Sequence, residues 1–560
     1  MAGLLSWWSR VALVSLCSSA LVSCFVAEPR SAKPLELDRE CFPSLINITI
    51  DELTAGLESG KFTSVDLVNA YIERILEVND TLNVVTELNP DALSIAEALD
   101  EERAAGAARG ALHGIPILIK NNIATNDAMN NTAGSWSLVG SEVPEDSTLA
   151  NKLREAGAII LGKANLSQWA NYRSSNSSNG WSAYGGQVYA AYHEDQDPSG
   201  SSSGSGVAAS LGLALAALGT ETSGSILSPS NRNDVVGIKP TVGLTSRYLV
   251  IPISEHQDTV GPMARTVKDA AYVLQVLAGY DEHDNYTSAI PNDGVIPDYV
   301  AACDPDALNG ARIGVPTNVI EYYTSGFTAM MTEVDAFYAD LDVFRDAGAE
   351  IVLDANYTAW DQYTNSSNTT IVLQADFITN IAEYLAELTV NPNDITNLEE
   401  LRAWTQAEPL EDYPDRNTAV WDGALEAGFG NTDPRFWEAY QANQFLGGEG
   451  GVLGALERNS LDAIILPTSF SPGNPAVVGA PGINVPLGFY PPDANVTMNS
   501  RGNLVATGPN VPFGISFLGR RFSEETLIGL AYAYEQLTFH RDDVQPYIEP
   551  TVELACACGH

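Results

Sequence analysis

Between Pro198 and Ser210 the chain reads PSGSSSGSGVAAS, and no other stretch restricts the possible fold as strongly. Serine and glycine at that density ordinarily mean a flexible, solvated tether. Here the run does not separate two domains. It passes straight into LGLALAALGTETSGSIL, Leu211 to Leu227, an apolar run of small residues that ends in a second Ser/Gly cluster. A tether has no reason to continue into a core-forming segment. A tightly packed backbone that holds hydroxyl groups rigidly does.

The surrounding sequence supplies that core. Val65, Val68, Ile72, Ile75 and Leu76 follow a helical period between Thr63 and Leu76. HGIPILIKNN, His113 to Asn122, predicts a short buried strand ending in a lysine, and AIILGK, Ala158 to Lys163, predicts another. Between them Ser147 can cap a helix that runs to Ala156 and stops at Gly157. LAALGTET and VVGIKPT continue the alternation, LDAIILPTSF (Leu461 to Phe470) returns to strand character, and FSEETLIGLAYAYEQL (Phe522 to Leu537) predicts a closing helix. This pattern implies an α/β fold with a mostly parallel sheet. Length alone suggests roughly three or four domains, but the 560 residues contain no internal repeat and no Pro-rich linker, so one large domain is expected. Residues from about Tyr280 to Arg458 are richer in charge, aromatics and helical patterns; they read as a variable helical region that shapes a substrate site. Trp404, Tyr413 and Trp421 within it are expected in the core rather than in the pocket.

The first residues carry Arg10 and then VALVSLCSSALVSCFVA, a secretory signal pattern with cleavage expected near Ala27. Asn-x-Ser/Thr sequons at Asn47, Asn79, Asn130, Asn165, Asn176, Asn285, Asn356, Asn365, Asn368 and Asn495 fit a secreted glycoprotein. Removal of residues 1–27 leaves Cys41, Cys303, Cys556 and Cys558, enough for two disulfides. The expected organisation is a signal peptide at 1–27, an extension at 28–44, one domain at 45–545 with its variable region at about 280–458, and a tail at 546–560. The net charge of −43 argues against nucleic acid and anionic membrane surfaces as partners, and no stable membrane insertion is expected once the signal is removed. None of the six histidines sits in HExxH or a close pair, and CAC near the C-terminus is not a zinc spacing, so neither metal nor cofactor is expected.

Two arrangements could carry hydrolytic chemistry. GSSSG, Gly200 to Gly204, matches the nucleophile-elbow pattern with Ser202 at its centre, partnered by a downstream histidine such as His256 or His540. An elbow must follow a hydrophobic strand, whereas AYHEDQDPS precedes this one. The second arrangement joins Lys120, a serine of the 201–203 run, and Ser225. Lys120 ends the apolar run IPILI; a desolvated lysine loses basicity and can act as a base near neutral pH. TETSGSI supplies successive backbone N–H groups just before Ser225, a possible anion nest.

GIPILIKNN, GSSSGSGVAAS, GTETSGSILSPS, VVGIKPTVGL and QDTVGPMARTVKDAA resemble, in this order and spacing, the amidase signature family, and look most similar to its peptide amidase-like members. GPNVPFGISFLGRRFSEETLIGLAYAYEQ resembles that family's C-terminal segment, so the likeness spans about residues 45 to 540. The resemblance implies the amidase signature fold, a large mixed, mostly parallel sheet sandwiched by helices. It implies Lys120 as general base, Ser201 as bridging serine in a cis peptide with Gly200, and Ser225 as nucleophile. It places the oxyanion hole at the backbone N–H groups of Thr222, Ser223, Gly224 and Ser225. Ser223 departs from the usual Gly or Asp, Ser203 from the usual Gly, and Glu221 from the usual Asp. The expected function is a secreted amidase that cleaves small-molecule or peptide amides, peptide C-terminal amides among them. The competing readings are a serine esterase of α/β-hydrolase type and a catalytically inactive amidase-fold binding protein. An amidotransferase subunit acting with tRNA shares the fold, but the signal segment and the acidity argue against it.

Overall fold

The computed structural model describes residues 43–325 and 330–554. The signal segment and Cys17, Cys24, Cys41, Cys556 and Cys558 lie outside those residues. Eleven strands form one sheet: β1 (Val85–Leu88), β2 (Pro116–Lys120), β3 (Ile159–Ala164), β4 (Ala216–Glu221), β5 (Val236–Lys239), β6 (Thr259–Ala264), β7 (Arg312–Val315), β8 (Glu350–Leu353), β9 (Ala463–Pro467), β10 (Gly482–Phe489) and β11 (Pro512–Leu518). Their spatial order is β1-β3-β2-β4-β6-β5-β10-β11-β9-β7-β8.

The large mixed sheet with covering helices is as expected, and its parallel pairing is concentrated in two blocks. One is β3-β2-β4 and the other is β9-β7-β8. The strands between the blocks pair antiparallel. Short apolar runs separated by helices announce the parallel blocks. Antiparallel neighbours carry the same fully buried composition in this sheet, so sequence patterning does not separate the two.

The parallel block β3-β2-β4 positions the chemistry. Every residue of β2 is buried. Its register with β4, Ile119 opposite Leu218, sets Lys120 beside the residues that end β4 and begin the second Ser/Gly turn. Both strands therefore deliver their C-terminal ends to one edge of the sheet, where open α/β sheets place their ligands. The helix Ser203–Ser210 packs against this block with all of its residues buried. A Cβ at Gly204 would lie 2.4 Å from the Val84 carbonyl oxygen and 2.5 Å from that of Asn165, so only glycine permits this approach.

Local signals hold elsewhere. Thr63 caps the helix Ser64–Leu82 through a reciprocal box with Asp66, and Ser147 caps Thr148–Glu155. Within the first of these helices Ile75 is buried but its neighbour Leu76 is 63% exposed, because one residue turns the chain by about 100°. The region 280–458 carries the expected helices and also β7 and β8, which extend the sheet at one edge. Each is four residues long, too short for a period-2 pattern to emerge. The tail is docked rather than free up to its last described residues: Tyr547 N–H donates to the Ala191 carbonyl at 2.7 Å and Thr551 Oγ1 to Glu77 at 2.7 Å. Asn165 is fully buried and its Nδ2 donates to the carbonyls of Asn83 and Gly185, so this sequon is closed to glycan attachment.

Trp421 is core, as expected. It stacks on Phe377 and meets Trp169 edge-on at 5.6 Å, in a cluster with Leu398 and Leu401 against which Trp404 packs; Tyr413 is largely exposed. Trp421→Ala should lower the folding free energy by about 3–5 kcal/mol, read as a shift of the urea midpoint at unchanged slope; a shift equivalent to a surface substitution would remove Trp421 from the core assignment.

Candidate active site

Lys120 is completely buried. Its Nζ lies 2.8 Å from Ser201 Oγ, 3.0 Å from Ser202 Oγ, 2.8 Å from Thr220 Oγ1 and 3.2 Å from the Thr220 carbonyl oxygen. Burial pushes its pKa down to about 7, against the opposing pull of the Asp258 and Glu221 carboxylates. Two other lysines are equally buried. Lys163 Nζ donates to the Ile123 carbonyl and Asn131 Oδ1, and Lys239 Nζ to the carbonyls of Pro240 and Ala480. Burial lowers their pKa values as well, to about 7 and about 8. The difference lies in the partners: carbonyl oxygens have no proton to give, whereas Lys120 faces hydroxyls that do.

The partners also separate the three consecutive serines. Ser202 Oγ donates to the Thr220 carbonyl at 3.1 Å and accepts from Thr220 N–H at 3.2 Å. Ser203 Oγ donates to the Ser199 carbonyl at 2.5 Å. Ser201 Oγ has Lys120 as its hydrogen-bond partner among the described residues. The Gly200–Ser201 peptide bond is cis. Ser202 N–H donates to the Ser225 carbonyl at 3.2 Å, which brings the two Ser/Gly runs into backbone contact. Ser225 is 8% exposed, and its hydroxyl makes no hydrogen bond to Ser201 Oγ in this state.

Glu221 organises the turn that follows β4. Its carboxylate accepts from the N–H groups of Gly224 at 2.7 Å, Ile226 at 2.7 Å and Leu227 at 2.9 Å. Of the four N–H groups expected to form an oxyanion hole, that of Gly224 therefore already has an acceptor. The N–H groups of Thr222, Ser223 and Ser225 donate to no protein acceptor among the described residues. Gly224 adopts φ +92°, a conformation that favours glycine, while Ser223 is exposed. Thr222 Oγ1 donates to Asp258 Oδ1 at 2.5 Å, and Asp258 also accepts from Ile253 and Ser254 N–H. In the sequence Glu221 stands out only as a departure from the usual Asp, and Thr220 and Asp258 do not stand out. All three lie inside quoted motifs, GTETSGSILSPS and QDTVGPMARTVKDAA, so position within a motif is the available signal.

The elbow alternative finds no support. Ser202 is sealed and committed to Thr220, and neither histidine pairs with a serine of the two runs. His256 Nδ1 bonds the Asp376 carboxylate at 3.0 Å, and His540 bonds Asp340 and Asp543. Glu255, His256 and Asp376 have the spacing of a metal-ligand set. Asp376, however, is engaged by Ser254 Oγ at 2.6 Å, Asn431 Nδ2 at 3.0 Å and His256. That donor set satisfies the carboxylate oxygens and pins the helix Asn368–Glu387 to the loop at 254–256.

A cavity of about 660 Å³ reaches Asn122, Thr220 and Thr222. Its far wall comes from the helix Asn368–Glu387 and from the loop around Tyr286, so the 280–458 region does contribute to the pocket; Trp404, Tyr413 and Trp421 do not line it.

The family model described as amidase matches residues 66–528. A relative from Arthroderma benhamiae, provisionally named an amidase, is 55% identical over 533 residues, covering 91% of this chain and 89% of that protein. A second, from Schizosaccharomyces pombe, is 37% identical over 525 residues, covering 88% and 86%. Among solved structures, native peptide amidase from Stenotrophomonas maltophilia superposes with a TM-score of 0.78 at 37% identity, over 90% of this chain and 99% of that one.

Glu221→Gln replaces one acceptor oxygen by an NH2 group that faces a backbone N–H. The substitution should cost about 1–3 kcal/mol of stability, checked by urea denaturation; an unchanged midpoint would mean that the turn holds itself.

Proposed function

The chain belongs to the amidase family of C–N hydrolases, and from that premise we propose that Lys120, Ser201 and Ser225 form its catalytic relay on a carboxylic amide, with peptide C-terminal amides as the substrate class. The observation that carries the reading is a lysine amine shut off from water, poised near neutrality, and facing a serine hydroxyl that has no other partner.

In its neutral form Lys120 takes a proton from Ser201, and Ser201 takes one from Ser225 as Ser225 Oγ attacks the amide carbon. The N–H groups of Thr222, Ser223 and Ser225 meet the oxyanion of the tetrahedral intermediate. The proton returns through Ser201 to the nitrogen, the C–N bond breaks, and ammonia or an amine leaves an acyl ester on Ser225. Water adds to that ester by the same relay, which frees the acid and restores the serine. The route needs neither metal nor cofactor. The missing Ser201–Ser225 hydrogen bond is consistent with a site that tightens when substrate arrives.

We further propose that the protein is secreted. Exposed sequons at Asn47, Asn176, Asn285, Asn365 and Asn495 support this reading, together with the leader pattern at 1–27.

A fluorophosphonate should label Ser225, with peptide mapping and a Ser225→Ala control. An adduct within Ser201–Ser203 would reassign the nucleophile, and no adduct on the folded protein would favour the inactive binding fold. Lys120→Ala and Ser225→Ala should each lower amide hydrolysis by about 10³-fold or more. Because the folded-state pKa of Lys120 is depressed to about 7, the base is protonated and idle in acid. The labelling rate should therefore rise with pH through about 7 and level off above it; a rate independent of pH would remove lysine as the base.

A further inference from the structure

Ser201 Oγ meets Lys120 Nζ at 2.8 Å, and the main chain of Ser201 has to be held for that contact to last. A left-handed turn lies against it. Trp169 has φ +52° and ψ +35°, Ala170 φ +52° and ψ +39°, and Asn171 φ +68°. For a residue with a Cβ this backbone is about five- to thirtyfold less populated than its right-handed counterpart, and asparagine adopts it most readily. Such residues persist only where their surroundings over-determine them. Among the described residues no other three consecutive non-glycine residues have positive φ.

The turn touches the serine run directly. Ser167 N–H donates to the Ser201 carbonyl at 3.0 Å. A Cβ at Gly200 would lie 2.4 Å from Ser167 Oγ and 3.2 Å from Asn171 Nδ2, so a side chain there would force the two segments apart. Ala170 lines the cavity of about 660 Å³, so the turn joins the cavity wall to Ser201. Tyr172 N–H closes the turn on the Trp169 carbonyl at 2.8 Å, and Trp169 N–H donates to the Ala133 carbonyl at 2.9 Å.

A buried ion pair ties down both ends of this turn. Glu411 is fully buried and Arg173 is 1% exposed. Arg173 Nη1 donates to Glu411 Oε2 at 2.8 Å and to Gln168 Oε1 at 2.9 Å; Nη2 donates to the carbonyls of Glu411 at 2.7 Å and Arg416 at 2.8 Å. The Glu411 carboxylate also accepts from Gln168 Nε2 at 2.5 Å, Ser135 Oγ at 2.7 Å and Trp136 N–H at 2.7 Å. Gln168 and Arg173 bracket the turn, and one carboxylate holds them both. A buried ion pair is in itself weak evidence of stability, because desolvation offsets much of the attraction. Its place gives it a role: Glu411 lies 238 residues along the chain from Arg173 and reaches neither the cavity wall nor Lys120.

We propose that Arg173 and Glu411 are positioning residues: their ion pair holds residues 169–171 in the left-handed turn, and the turn fixes the main chain at Ser201 so that its hydroxyl faces Lys120. The assignment rests on Ser201 as the relay, so one readout is independent of the reaction. Amide hydrogen exchange of the full-length protein is followed by mass spectrometry, with fluorophosphonate inactivation measured alongside. In Glu411→Gln the peptides covering 166–173 and 199–203 should exchange at least about tenfold faster while the helix Ser64–Leu82 keeps its protection. The kinact should fall about tenfold with KI within about twofold of the parent. A purely structural role would lower the unfolding midpoint and leave the kinact of the folded protein alone. Ala170→Gly on that background removes the left-handed penalty at one position and should raise kinact again by at least about threefold. Arg173→Lys keeps the charge and gives up the fork; it replaces Glu411→Gln if that variant does not fold, with the same changes expected. Unchanged exchange at 166–173 overturns the proposal, as does faster exchange with kinact intact in a protein that Ser201→Ala inactivates. If Ser201→Ala labels at the parent rate, the relay reading falls, and faster exchange in Glu411→Gln leaves the clamp on the turn standing.

Discussion

A lysine amine with no water around it is the constraint from which the site is built. An ammonium buried without compensation is so costly that the group loses its proton or the structure reorganises. At Lys120 the outcome lies between these limits. Desolvation lowers the pKa, and Asp258 and Glu221 restore part of the preference for charge, leaving it at about 7. The hydroxyls of Ser201 and Thr220 around Nζ serve either protonation state, because a hydroxyl can accept from an ammonium or donate to an amine. Carbonyl cages of the kind around Lys163 and Lys239 lack that freedom.

The same carboxylate does two jobs whose demands conflict. Glu221 contributes to the field at Lys120 and also holds the backbone of the turn around Ser225 through three N–H groups. Rigidity is obtained by taking up the Gly224 N–H, so the turn keeps fewer N–H groups without a protein acceptor than the run of residues suggests. Asp258 has a parallel role: it fixes Thr222 through its hydroxyl and at the same time forms part of the cavity wall. Electrostatics at Lys120 and geometry around Ser225 are therefore set by shared groups, and a substitution at either carboxylate will move both.

Much of this was legible in the sequence, for reasons that can be named. Lys120 at the end of IPILI announces its own burial, and the Ser/Gly clusters announce tight turns. The strands β2, β3, β4 and β9 and the helices capped by Thr63 and Ser147 follow from apolar runs and caps. What escaped depends on tertiary context. GSSSG does not say which of its serines is free; only the competing acceptors, Thr220 for Ser202 and the Ser199 carbonyl for Ser203, settle it. The strands β7 and β8 are too short to show a period, and Asn165 carries an intact sequon while its side chain is consumed inside the fold.

The Ser/Gly run itself shows why tether-like composition can produce the most rigid part of a molecule. Close approach demands small residues: Gly204 sits against the backbones of Val84 and Asn165. Close approach also buries polar backbone that must be satisfied, and hydroxyls on short side chains do this without adding bulk. Ser205 Oγ donates to the Leu218 carbonyl at 2.8 Å, Ser202 bridges both polar groups of Thr220, Ser203 returns to the Ser199 carbonyl, and Ser210 meets the Tyr192 hydroxyl at 2.9 Å. Four hydroxyls are thereby committed to structure. The hydroxyl of Ser201 is held in register by them and, among the described residues, has the buried amine as its partner. A flexible linker would need the same residues for their solubility; here they are needed because nothing larger fits and nothing less polar would satisfy the backbone they bury.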